Sequence, residues 1–378
     1  MTYGAYPARR AIAERVRECF ARHLELAALG PAHAAAPLPD TDEIEAVIDT
    51  AFWTSLRREE GYVPIISLAL LSPDDTPSAL VFERRLRFAP AVLAKVAPAV
   101  ERPGIHLGVS VEDGALSVWG ATRHLPSYCL VLEVAGPGVL VVKQYRGGEH
   151  TKFANIAVLE GDQVKIVDEN ASTLPDCPPL LSSLLGFDAP ASWSDSVNVL
   201  VQLSVSMRAH KRGGLLLVVP AESAAWHESI VHPIAYALNP PFSALSDLMK
   251  ADVDGRDRLW QDALGRAIEG IAGLTAVDGA TIVTDRHELL AFGAKITRKR
   301  GSAPVEQATV TEPIEGFVPS VVHPSSLGGT RHLSAAQFVH DQRDAVALVA
   351  SQDGRFTVFA WSACEDMVYA HRVEALLL

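Results

Sequence analysis

Three segments in the C-terminal half set polar side chains and glycines into otherwise apolar sequence, and the second of them suits a polyphosphate. The first is Thr275-Ala-Val-Asp278-Gly279-Ala280-Thr-Ile-Val-Thr-Asp285, a carboxylate and a glycine set in an otherwise apolar run. A carboxylate on a strand is costly if buried without a partner. A glycine inside a strand marks a bulge or the close approach of a ligand, and the plainer alternative is a β-turn at Asp-Gly. The second is Leu327-Gly328-Gly329-Thr330-Arg331-His332-Leu333-Ser334-Ala335-Ala336, in which two glycines, a hydroxyl, a guanidinium and an imidazole precede an Ala-rich helical stretch. Backbone N–H donors, a Thr hydroxyl and an Arg fork at a helix N-terminus suit a polyphosphate. The plainer alternative is a capped helix with a solvated Arg-His. The third, Val349-Ala350-Ser351-Gln352-Asp353-Gly354-Arg355-Phe356, reads as a strand–turn–strand hairpin. A weaker candidate, Ala209-His210-Lys211-Arg212-Gly213-Gly214, either lines a phosphate pocket or is a positively charged helix end.

The elements that must position these groups follow from periodicity. Residues 8–58 are predicted helical, with a break at Gly30–Pro39 and a restart at Asp40-Thr-Asp-Glu-Ile, whose acids sit at the positive end of the helix dipole. Tyr62–Leu71 and Ala79–Phe88 are apolar runs flanking Ser72-Pro-Asp-Asp-Thr-Pro and are predicted to pair with each other. A helix at Ala91–Val100 and six short strands between Ile105 and Val167 follow, with turns that include Glu112-Asp-Gly and Gly147-Gly. Asn170–Pro190, rich in Ser, Pro and Leu, marks the expected boundary. Beyond it the grammar is α/β. Helices are predicted at Val197–His210, at Arg256–Gly273 and around Gln337-Phe338, and a polar and aromatic connection leads to Phe242–Met249. Strands are predicted at Leu215–Val219, Ala276–Thr284, Glu288–Phe292, Ala345–Ala350 and Phe356–Trp361.

Composition bounds the function. The 378 residues carry 33 Lys+Arg against 45 Asp+Glu, a formal charge of −12, which argues against a nucleic-acid coat or a polybasic membrane binder. A nucleotide ligand needs only a local basic pocket. No stretch reaches the ~18 uninterrupted apolar residues of a membrane span, and the first ten residues lack a secretory layout. Cys19, Cys129, Cys177 and Cys364 are far apart with no CxxC pair, which suits a reduced interior better than a zinc site or a disulfide framework. A cytoplasmic location is expected. No GxxxxGK[ST], GxSxG or HExxH pattern occurs.

In this order the three segments resemble the diadenylate cyclase (DAC) domain, whose family carries Asp-Gly-Ala, then Gly-Thr-Arg-His-Arg, then a Ser-Glu-Glu hairpin. Residues 195–365 cover the resemblance. The N-terminal half, with Ala51-Phe-Trp-Thr-Ser-Leu-Arg-Arg-Glu-Glu-Gly61, Lys95-Val-Ala-Pro-Ala99 and Val118-Trp-Gly120, resembles the sensor-type domain DACNV found fused to such cyclases. The resemblance implies an α/β chain, with a DAC-like mixed sheet flanked by helices at 190–378 after an α+β sensor-like domain at 1–175. It implies a nucleotidyltransferase joining two ATP into cyclic di-AMP and two pyrophosphates. Asp278 would be catalytic and hold Mg²⁺ or Mn²⁺, and Gly279 and Ala280 would shape the nucleotide pocket. Gly329, Thr330, Arg331 and His332 would hold the triphosphate, and Ser351 would approach its far end. Trp226, His227, His232 and Tyr236 either flank an adenine or form satellite core. A second copy must meet the first face to face for ring closure, with neither nucleic acid nor membrane as partner.

The chain departs from the family pattern at Leu333, where the motif has its last Arg, and at Ser351-Gln352-Asp353, where it has Ser-Glu-Glu. Thr330 follows Asp278 by 52 residues, a long gap that includes Arg298-Lys-Arg300, either replacement charge or a solvated run. These departures motivate the alternative of a catalytically impaired DAC-fold protein that binds ATP or a cyclic dinucleotide as a regulatory module. A structural protein with an empty pocket is the third possibility.

Overall fold

Asp40 and Glu43 begin the second helix with a capping box, the Glu43 carboxylate accepting the Asp40 N–H at 3.0 Å. That helix, α2 (Thr41–Ser55), lies beside α1 (Arg9–Ala27), and the two are joined by Arg9 Nε donating to Glu45 Oε1 at 2.6 Å. In this computed structural model the described residues are 5–28, 35–146, 153–168, 195–250 and 258–378. The expected boundary at 170–190, the turn at Gly147-Gly148 and Cys177 lie outside them. The chain divides into two compact units, Met1–Val167 with Leu378, and Asp168–Leu377.

In the first unit, α3 (Pro90–Val96) joins α1 and α2 beside an eight-stranded mixed sheet. Its strands are β1 (Ile66–Leu70), β2 (Leu80–Arg87), β3 (His106–Glu112), β4 (Ala115–Thr122), β5 (Leu130–Gly136), β6 (Val139–Tyr145), β7 (Phe153–Glu160) and β8 (Gln163–Ile166). The order is β2-β4-β3-β1-β5-β6-β7-β8, and β1 runs parallel to β3. Val16, Phe20, Ile44 and Ile48 of the helices meet Leu68, Leu107, Leu132 and Leu140 of the sheet in one core. The expected pairing of the first two strands is corrected, because β3 and β4 lie between β1 and β2. The reason is polarity. The apolar run Ile-Ser-Leu-Ala-Leu of β1 is buried at the sheet's centre, whereas β2 carries Glu83-Arg84-Arg85 on an exposed edge, where charge blocks further pairing.

The second unit holds a nine-stranded mixed sheet. Its strands are β9 (Gly214–Val219), β10 (Tyr236–Phe242), β11 (Ala280–Thr284), β12 (Leu289–Ala294), β13 (Ala308–Thr311), β14 (Ser320–Val322), β15 (Val346–Ala350), β16 (Phe356–Ser362) and β17 (Met367–Arg372). They are ordered β10-β12-β11-β9-β15-β16-β17-β13-β14. The helices are α4 (Asp195–Ala209), α5 (Ala244–Met249), α6 (Arg258–Leu274) and α7 (Thr330–Asp341). Every residue of β9 is buried. Leu215, Leu217 and Val219 pack with Ala335, Ala336, Phe338 and Val339 of α7, while the alternate residues Leu216 and Val218 turn to the other face. A strand covered on both faces has the continuous apolar run seen here. The chain is therefore α/β overall, with two mixed sheets and flanking helices.

Two expectations in this unit are corrected. The connection before α5 is itself partly strand: β10 is an edge strand, a position that tolerates Asn239-Pro240-Pro241 because an edge leaves one row of N–H groups unpaired. The strand expected from Ala276 starts at Ala280, so Asp278 and Gly279 lie in the bend just before it. Cys19 and Cys129 are buried and Cys364 is exposed. Among the described residues no helix is long and apolar enough to cross a membrane.

Candidate functional site

Register brings the chemistry-bearing segments to one end of the C-terminal sheet. Parallel β9 and β11 start there, at Gly214 and Ala280. Antiparallel β15 finishes there with Ala350 opposite Gly214, and β12 finishes with Ala294 opposite Ala280. The residues just beyond these strand ends, Gly213, Gly279, Lys295 and Ser351, therefore share one rim.

Arg331, the second residue of α7, reaches that rim. A Cβ on Gly213 would stand 2.9 Å from Arg331 Nη1 and 3.3 Å from the Ala350 carbonyl oxygen, and Gly213 has a φ of +72°. The guanidinium thus lies against bare backbone at the β9–β15 junction. Asp278 sits on the same rim with its side chain 88% exposed and ion-paired to Lys295. The Lys295 hydrogen bond and charge, with the Arg331 charge behind them, hold the Asp278 carboxyl below the usual carboxylate range. Gly279 (φ +112°) lets the bend press onto β12, since a Cβ there would come within 2.6 Å of the Gly293 carbonyl carbon.

The remaining expected residues divide by burial. Gly329 is the N-cap of α7 and Thr330 its first residue, both exposed at the positive end of the helix. His332 is buried, its ring directly under Gly328 and edge-on to Phe359 at 6.1 Å between centroids. Burial lowers its pKa, so it is a neutral support under the glycine turn. Ala280 is fully buried in the core against α7. Ser351 is half-buried at the hairpin turn, its N–H donating to the Arg355 carbonyl at 2.9 Å. Gln352 is exposed, and its amide donates to the Arg212 carbonyl at 3.4 Å.

The 209–214 segment belongs to this rim. His210 meets Thr275 Oγ1 at 3.3 Å, and its pKa is lowered by burial, then by the charges of Arg212 and Arg331. Tyr236 is also nearby: half-exposed, it stacks on Phe292 at 4.7 Å and touches Gly293, beside the Asp278 carbonyl. Trp226 is buried in the core and stacks on His227, which stacks on His232. Of the basic run, Lys299 pairs with Glu228 at 2.9 Å, and Arg298 lines a cavity of about 320 Å³ with His323, Gln337 and Leu333, the position where the family motif has its last Arg. Lys295 does not stand out in the sequence; a lone lysine closing the apolar run Leu289–Ala294 is its only signal.

The donor set suits a hard divalent cation only in part. Asp278 offers one exposed, ionised carboxylate, and among the described residues no three His, Cys, Asp or Glu gather as a metal cluster. One carboxylate holds Mg²⁺ where a ligand's own phosphates supply the other oxygens, so the residues fit a divalent metal only together with such a ligand.

Residues 33–123 match the family model described as "Probable sensor domain DACNV". The DACNV match runs from before α2 to the end of β4, inside the first unit. No curated protein matches the chain. Among solved structures, a hypothetical membrane spanning protein from Bacillus cereus aligns over 50% of this chain and 69% of its own, at 17% identity and a TM-score of 0.28. DacA from Staphylococcus aureus aligns over 47% of this chain and 85% of its own, at 14% identity and a TM-score of 0.24. Likenesses this loose carry no functional weight.

Proposed function

We propose that the C-terminal unit is a nucleotidyltransferase of the diadenylate cyclase type, which condenses two ATP into cyclic di-AMP and two pyrophosphates. The observation that supports this most is the meeting of Asp278, Arg331, the exposed start of α7 and the Ser351 turn on one sheet rim, although they are remote in sequence. In the reaction the 3′-hydroxyl oxygen of one nucleotide attacks the α-phosphorus of the other, the α–β P–O bond breaks, and pyrophosphate leaves. Asp278, ionised at neutral pH, accepts the hydrogen bond of the attacking hydroxyl, and the hydroxyl proton leaves through that carboxylate to solvent as the new P–O bond forms. Arg331 and the N–H groups at Gly329 and Thr330 hold the phosphate oxygens, an arrangement whose contribution is positioning and charge stabilisation. His332 supports that turn from below, and Ser351 faces the far phosphates. A divalent ion bound at Asp278 would add neutralisation of the phosphate charge. Each chain offers one such rim, so ring closure takes two chains facing each other. Residues 1–175 act as the sensor-like domain and 190–378 as the nucleotide domain.

A second reading, nucleotide binding without catalysis, is favoured by Leu333 and Gln352. Leu333 places an apolar side chain, 38% exposed, where the family motif has a guanidinium. Losing one charged hydrogen bond costs about 1.5–3 kcal/mol, or roughly tenfold to a hundredfold in rate if felt only at the transition state. Incubating the full chain with ATP and Mg²⁺ or Mn²⁺ separates the two. Cyclic di-AMP that disappears in Asp278→Asn supports the cyclase, and ATP binding with no product under either metal supports the second reading. No ATP binding at all ends both.

A further inference from the structure

The Asp278 carboxylate on the rim is paired with a cation of the chain's own. Lys295 donates to Asp278 Oδ2 from the residue that follows β12. Its side chain is 57% exposed, but its backbone is fixed on both sides. The Val231 N–H donates to the Lys295 carbonyl at 2.8 Å, and the Thr297 N–H donates to the Ser229 carbonyl at 2.9 Å. The lysine stem therefore starts from a point held by hydrogen bonds, and its ammonium is exposed to solvent beside Asp278. The Gly279 bend, pressed onto Gly293 and Ala294, fixes the aspartate on the facing side of the same junction. Arg331 is the next cation, and its field reaches both Asp278 and His210.

We propose that Lys295 is the resident cation of this site. It neutralises Asp278 when no nucleotide is present and carries its charge onto the phosphates when one binds, so that polyphosphate binding persists without divalent metal. The proposal rests on the nucleotide reading above and assigns a positioning role to a residue outside the three motifs. An ammonium is a compact point charge on a flexible stem, suited to exchange between a carboxylate and a phosphate. The exchange costs little, because an exposed ion pair contributes at most about the thermal energy scale, whereas a triphosphate offers several anionic oxygens. It also supplies charge on the rim of a chain whose Leu333 and Gln352 contribute none.

The test is calorimetric titration of the full chain with ATP, once with Mg²⁺ and once with EDTA, for the wild type, Lys295→Gln and Lys295→Arg. The wild type is expected to bind ATP in EDTA within about tenfold of its affinity in Mg²⁺. Lys295→Gln should lose roughly tenfold to a hundredfold in EDTA, the loss expected for one charged hydrogen bond, and at most about threefold in Mg²⁺, while Lys295→Arg restores binding. Because Lys295 is exposed, unchanged melting temperatures serve as the folding control. Wild-type binding that vanishes in EDTA, or a Lys295→Gln protein indistinguishable from wild type there, overturns the role of Lys295 and leaves the nucleotide reading standing. Absence of binding by the wild type in both buffers overturns the nucleotide reading and this proposal together.

Discussion

At the scale of single residues, the site depends on backbone that only glycine can form. Gly279 combines a φ of +112° with an approach in which any Cβ would lie 2.6 Å from the Gly293 carbonyl carbon. Gly301 also has a positive φ, +83°, but nothing lies within 4 Å of its Cβ position. The pair separates strain from collision. Gly301→Ala should cost about 1–2 kcal/mol, the price of left-handed backbone alone. Gly279→Ala should cost clearly more, beyond about 3 kcal/mol, and should weaken ATP binding as well, because the displaced bend carries Asp278. Urea unfolding midpoints and ATP titrations of both variants check this. Equal losses in the two would show that the contact with β12 does not fix the bend. Asp278, Thr330 and Arg331 are visible in sequence only through the order of the three segments, since Asp-Gly alone also occurs at Asp113, Asp254 and Asp353 and singles out nothing. Lys295 is not, since a lysine after an apolar strand has the same appearance whether it faces water or an aspartate.

At the scale of elements, the outer strands of the C-terminal sheet carry a pH-dependent stability of their own. β13 and β17 run parallel with Thr311 opposite His371, and the His371 ring meets Thr311 Oγ1 at 2.7 Å in the interior. Burial pushes the His371 pKa down to about 4. The unfolded chain, with an ordinary histidine near 6.5, binds a proton that the fold refuses between those values. Stability is therefore complete above pH ~6.5 and falls as pH drops toward 4, by about 3 kcal/mol over the window. Urea unfolding at pH 7 and pH 4.5 should show this loss in the wild type and a smaller one in His371→Asn; equal losses in both would remove His371 as the cause. The strands outside β16 on this side of the sheet are not legible in sequence. β13 has four residues and β14 three, too few for a period to register, and β17 has Tyr369 and His371 where an apolar alternation is sought. The prolines hide β10 as well. By contrast β9 and β15 are clear, because strands buried on both faces have unbroken apolar runs, and in β16 only Thr357 interrupts the run from Phe356 to Trp361. The order of strands in the first sheet is out of reach of local pattern, since β1 finds its neighbours across the chain in β3 and β5 rather than in the next run.

At the scale of the whole molecule, the proposed chemistry makes a demand that one chain cannot meet. Each C-terminal unit has a single rim bearing Asp278 and Arg331, and ring closure needs two nucleotides, each attacking the other. The two α-phosphates must lie within reach of the two hydroxyls at the same moment, which a second copy related by a two-fold axis supplies and a lone rim does not. The chain's net charge of −12 opposes that approach by long-range repulsion, and salt screens it over a Debye length of about 8–10 Å near physiological ionic strength. Two consequences belong to the pair and not to either chain. Below the dissociation constant of the pair, the initial rate of cyclic di-AMP formation should rise with the square of protein concentration, and above it linearly. Raising salt moderately should shift that crossover to lower protein concentration, up to the point where screening also weakens the hold of Arg331 on phosphate. Initial rates measured across a thousandfold range of protein, at two salt concentrations and saturating ATP, test both. A rate proportional to protein throughout, down to concentrations at which sedimentation shows single chains, would mean that one chain closes the ring alone, and the face-to-face arrangement would have to be abandoned.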